Sequence, residues 1–143
     1  MESDAKPVLT GRPVNVRAFG NEDLTHISDS MWEMLFQNLL IDPDDTLFSV
    51  IAMIRNVLVP QNLNVLFPPK TENAPQNGGD VLVRDETQWT LAPRDWTLAR
   101  IMCYGADALR KKADKLHISG LLSDRSRERV ALECNKLIDK YIM

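Results

Sequence analysis

Two histidines, two cysteines and a tight group of aspartates are the residues of this 143-residue chain whose types could carry covalent or metal chemistry. Nucleophilic catalysis needs a nucleophile, a base and an orienting group brought together. His26 and His117 fall on different predicted helices, neither in a recognisable catalytic motif, and both read as surface or packing residues. Zinc calls for about four soft or imidazole ligands at close spacing. Cys103 and Cys134 instead stand alone on the apolar sides of two predicted helices, as small core residues with reduced thiols. Asp42, Asp44 and Asp45 surround Pro43, the pattern of a helix start: an N-cap, a proline at the first helical position and acids in the positive first turn. The chain has no phosphate-binding glycine loop, no dinucleotide fingerprint, no His-Glu-x-x-His and no EF-hand loop. No catalytic residue, cofactor or metal is therefore expected, and a small helical enzyme would need a pocket of perturbed titratable groups to be entertained.

Binding chemistry has more to stand on. Trp32, Phe36, Leu66, Phe67, Trp89 and Trp96 form a set of large apolar residues suited to a protein contact surface, with Trp32 and Phe36, beside the main stripe of their helix, equally suited to a core. The segment Trp89-Thr90-Leu91-Ala92 recurs as Trp96-Thr97-Leu98-Ala99, so the two tryptophans would project alike from a continuous helix. The leading expectation is a non-enzymatic protein that self-associates or docks on another protein, in a structural, assembly or adaptor role. Arg110, Lys111, Lys112, Lys115, Arg125, Arg127 and Arg129 bracket a turn at residues 117–122, a patch able to meet a nucleic-acid phosphate backbone. That gives the alternative, a nucleic-acid-associated structural or regulatory protein. Acids at Asp114, Asp124 and Glu128 dilute the patch, and the turn exceeds the usual helix-turn-helix length.

Charge is unevenly distributed. Residues 1–93 carry six Lys/Arg against thirteen Asp/Glu, a net −7, and residues 94–143 carry eleven against seven, a net +4. Such polarity steers charged partners, copies of the same chain included, or lets two halves of one bundle complement each other.

The elements that must hold these residues read as helices. Leu98, Ile101, Met102, Gly105, Leu109, Ala113 and Leu116 make one stripe of a long helix over 93–119, with Thr90 as cap, Pro93 in the first turn and Gly120 closing it. Gly105, Ala106 and Ala108 form a narrow waist where another helix can approach. A helix from about Ser123 to the end carries Val130, Cys134, Leu137 and Tyr141. Leu24, Ile27, Met31, Leu35 and Leu39 predict a helical region over 21–40, with Ser30 to Glu33 shaped as a capping box. Thr46–Val59 is apolar on most sides, so that helix must be central or covered by another chain. Residues 60–80 hold four prolines and Gly78-Gly79, and predict a long loop.

The expected fold is all-α: a four-to-five-helix bundle of two antiparallel pairs, 21–59 and 90–143, joined by a proline-rich crossover over 60–89 and preceded by an extended arm at 1–20. Residues 21–143 then form a single helical domain, with short strands at 14–19 and 81–84 able to pair. At 44% hydrophobic and 26% charged residues the composition is that of an ordinary globular chain, without the roughly 18 consecutive apolar residues of a membrane span. The polar start Met1–Lys6 lacks the layout of a signal peptide, so an intracellular protein, cytoplasmic or nuclear, is expected. These features also suit a compact viral component.

Overall fold

The computed structural model describes residues 16–67 and 79–142. Helix α1 (Asp29–Leu39) begins at Ser28, whose hydroxyl accepts from the Met31 N–H at 3.3 Å, and α2 (Pro43–Ile54) begins at Asp42, whose carboxylate accepts from the Asp45 N–H at 3.2 Å. The expected cap at Asp42-Pro43 is in place. The expected helix over 21–28 is absent: there the Asp23 side chain accepts from Thr25 in a local turn, and Asp23 is also bound to Asn62. A short 3₁₀ turn (Pro60–Asn62) follows α2 and leads into the strands β1 (Val65–Leu66), β2 (Asp80–Arg84) and β3 (Trp89–Pro93). The long helix α3 (Arg94–Ile118) and then α4 (Asp124–Ile142) complete the chain.

The strands overturn the all-α expectation. They form a three-stranded antiparallel sheet in the order β1-β2-β3, with Leu82 facing Leu66 on one side and Leu91 on the other. The fold is mixed α/β, dominated by its helices. The crossover, expected to be a loop but for the short strand at 81–84, supplies two of the strands, and Trp89–Pro93, expected to lead into the helix, supplies the third. The strand expected over 81–84 exists, but it pairs with β1 and β3. Residues 14 and 15 lie outside the described residues, and over 16–19 no strand forms: Phe19 packs against the Val65–Val81–Val83 cluster and its N–H donates to the Arg84 carbonyl at 2.8 Å. Asp85 turns the β2–β3 hairpin by accepting from the backbone N–H groups of Thr87 and Gln88. That frees Pro93 to sit at the helix boundary, where Thr97 Oγ1 donates to its carbonyl at 2.8 Å.

Two apolar clusters join the layers. The larger gathers Trp32, Leu35 and Leu39 of α1, Leu47 and Val50 of α2, Leu109 and Leu116 of α3, and Val130, Cys134 and Leu137 of α4. The smaller holds one face of the sheet, Val65, Val81 and Val83, against Ile101. α3 and α4 run antiparallel, as the pairs Arg110–Asn135, Asp114–Arg127 and His117–Asp124 show in register. Gly120, at φ 78°, closes α3 with the Leu121 N–H on the Leu116 carbonyl, and Ser123 caps α4 through the Ser126 N–H. The waist at Gly105 admits α2: a Cβ there would lie 2.9 Å from Ile51 Cγ1 and 3.0 Å from Leu47 Cδ1.

Candidate functional site

The aromatic set separates on burial. Trp32 is 1% exposed and stacks on buried Phe36, with ring centroids 6.4 Å apart. Trp89 is buried as well. These three residues are therefore taken out of any surface open to a partner, because the apolar sides of α1 and β3 are used inside this chain. Leu66 is half-buried; Phe67 is exposed beneath the Arg94 guanidinium, 5.1 Å from the ring centroid. Trp96 is 47% exposed beside Arg100, 5.2 Å away. Trp89 in a strand and Trp96 in a helix do not project alike, so the seven-residue repeat has no structural counterpart.

Further apolar surface is open to solvent at Val57, Leu58 and Leu91, on α2 and on the α3–α4 turn. Thr46, Leu47, Val50 and Ile54 fill the inner side of α2, which leaves Asp45, Phe48 and Ala52 facing out at helical steps. Phe48 is 51% exposed, and Ile41, just before the helix, is 82% exposed. Asp42 and Asp45 give this face an acidic border. α2 is thus both central on one side and uncovered on the other, which follows from its being apolar around most of its circumference. On the turn, Ile118 is 84% and Leu121 55% exposed. A hollow of about 220 Å³ between the turn and α1 is lined by Phe36, Leu40, Leu121 and Val130 among others.

The seven basic residues also separate. Arg110 and Lys111 both pair with Asp107, Lys112 with Asp29 at 2.8 Å and Arg127 with Asp114 at 3.3 Å. Lys115, Arg125 and Arg129 are exposed and have no ion pair among the described residues. Arg127, awkward at the positive end of α4, is placed by Asp114 on the neighbouring helix. Lys111, Lys112 and Lys115 form one wall of a groove of about 940 Å³ whose other wall is the 22–29 segment, with Leu24, Ile27 and Ala108 in its lining. The acids Asp23, Asp29 and Asp114 share that lining, so the groove is of mixed charge.

A buried polar network escaped the sequence reading altogether. Arg55 pairs with Glu22 at 3.3 Å, and their side chains are largely removed from solvent. Burial lowers the Arg55 pKa against the opposing pull of Glu22. Asn64 accepts from Arg55 at 2.8 Å and donates to Glu22 at 2.7 Å, while Asn62 donates to the carbonyls of Asp23 and Ile54. The network staples residues 17–23 onto the end of α2. His26 Nε2, 2.7 Å from the Met53 carbonyl, adds a further tie.

Both cysteines are free and buried, and burial pushes the Cys134 thiol up to about 12. Among the described residues no three His, Cys, Asp or Glu side chains are grouped to hold a metal, and no helix is long and apolar enough to cross a membrane. His117 is engaged by Asp124. No family model, curated protein or solved structure matches the chain.

Proposed function

We propose that this chain works without catalysis, through protein–protein contact, by self-association or by docking on another protein. The observation that carries the reading is the outer side of α2, where Phe48 on the helix and Ile41 just before it stand in solvent while the opposite side is committed to the core. A partner surface would recover about 1.5–3 kcal/mol of burial at Ile41 and about half that at Phe48, which is only 51% exposed. Ile118 and Leu121 add a second such surface on the α3–α4 turn. Sedimentation velocity over a concentration series tests self-association: mass that climbs with concentration supports it, and a single monomeric species throughout removes it.

The nucleic-acid reading has one observation in its favour, the three cations Lys115, Arg125 and Arg129 around a single turn. It ranks second because the other four basic residues of the patch are held by carboxylates of the same chain, and a phosphate would have to displace them. Replacing Arg125, Arg127 and Arg129 by Ala abolishes oligonucleotide binding if this reading is correct and leaves folding intact; unchanged affinity sinks it.

A further inference from the structure

Two of the exposed apolar surfaces, the outer face of α2 and the α3–α4 turn, carry charged borders of opposite sign. The outer face of α2 presents Ile41 and Phe48 next to Asp42 and Asp45. The α3–α4 turn presents Ile118 and Leu121 next to Lys115, Arg125 and Arg129. Internal pairing sharpens the contrast. Near the turn Asp114 is occupied by Arg127, while Asp124, which contacts His117, keeps its charge, so the free border is the three cations against Asp124 and Glu128. On α2, Asp44 is held by Lys140 at 3.0 Å, while Asp45 has no ion pair among the described residues. We propose that the partner is a second copy of this chain, whose α3–α4 turn docks Ile118 and Leu121 on the α2 face beside Ile41 and Phe48.

The pairing rests on the self-association form of the proposed function and names its two surfaces. A second copy is favoured over an unrelated protein because the chain carries both members of the complementary pair. The wider charge distribution agrees, at −7 over residues 1–93 and +4 over 94–143. Apolar contact supplies the attraction, and the charged borders set orientation and on-rate. The contact joins unlike surfaces, so two copies can engage reciprocally in a closed dimer or each copy can pass its free turn to the next. None of the four apolar residues is a buried core residue: Ile41, Phe48, Ile118 and Leu121 all belong to the exposed side chains.

The experiment uses two variants of the full chain. One breaks the turn (Ile118→Asp with Arg125→Glu), and the other breaks the α2 face (Phe48→Ser with Asp45→Lys). Circular dichroism confirms that each is folded. Each alone loses association by at least about tenfold in light scattering, since these changes remove central apolar contacts. An equimolar mixture recovers a dimer, because the intact turn of one variant meets the intact face of the other. Wild-type chain that assembles while the mixture stays monomeric, or variants that assemble as wild type does, overturns the pairing and leaves self-association through another surface. Wild-type chain that is monomeric at every concentration overturns both.

Discussion

Replacing Gly105 by Ala probes the contact that sets which side of α2 faces out. In an exposed helix interior the change stabilises by about 1 kcal/mol, because glycine gives up more backbone freedom than alanine. Here the added methyl would lie 2.9 Å from Ile51 Cγ1 and 3.0 Å from Leu47 Cδ1. Carbon atoms prefer about 3.5–4.0 Å, so α2 and α3 would have to separate by roughly half an ångström or more. Leu47 can turn its terminal methyl away. Ile51 Cγ1 lies closer to the backbone and cannot. Overpacking of this kind costs about 1–3 kcal/mol, which against the gain in helix propensity leaves a net loss of up to about 2 kcal/mol. Urea unfolding of wild type, Gly105→Ala, Ile51→Ala and the double variant measures this, with a coupling of about 1 kcal/mol or more in favour of the double variant. Gly120→Ala is the control: nothing lies within 4 Å of its added carbon, so its loss of about 1 kcal/mol comes from the positive φ alone and does not couple to Ile51. A Gly105→Ala protein more stable than wild type would refute the close approach of the two helices, and with it the assignment of Phe48 to the outside.

Three other predictions follow from the interior. Glu22→Gln leaves the Arg55 charge buried without its counter-charge, and costs about 3 kcal/mol in urea unfolding; Arg55→Met in the same chain recovers most of the loss. Burial opposes ionisation of Asp107, but hydrogen bonds and charges from Lys111 and Arg110 outweigh it and hold its pKa below the usual carboxylate value. The stabilisation, about 0.5–1 kcal/mol for so exposed a group of pairs, is present above the ordinary aspartate pKa near 4 and is lost as pH falls through the folded value. The stability difference between wild type and Asp107→Asn should therefore close as pH falls below about 4, and a difference unchanged in acid would contradict it. With its thiol near 12, Cys134 is ionised to about one part in ten thousand at pH 8, so a thiol reagent should label it only after unfolding. Rapid labelling of the native chain at Cys134 would show that α4 is not packed as described.

Local signals were legible, and non-local ones were not. The Asp42-Pro43 start of α2, the Gly120 end of α3 and the stripes of α3 and α4 follow from capping and periodicity within a few residues. Gly105 was legible for the same reason, as a gap in a continuous stripe. Trp89–Pro93 misled because Thr90 and Pro93 satisfy the chemistry of a helix start equally well. What makes it a strand is its five-residue pairing with Asp80–Arg84, which local pattern does not reveal. The polar network joins Glu22 to Arg55 and Asn64 across 33 and 42 residues, and buried asparagines carry no periodic mark. Trp32 and Phe36 lie beside the main stripe of α1, a position open to the core or to a partner; the core reaches far enough around that helix to take them in. The candidate surface itself was half visible. A helix apolar on most sides had to be central or covered, and α2 proves central on one side and open on the other.

Molar mass by light scattering at two salt concentrations, with and without a generic oligonucleotide, tests the central claim most directly. A discrete oligomer at low salt that weakens at high salt and ignores the oligonucleotide is the predicted result, since charged borders orient an apolar contact. A monomer that gains mass only with the oligonucleotide, and loses it at high salt, would contradict the claim and give first place to phosphate binding by Lys115, Arg125 and Arg129.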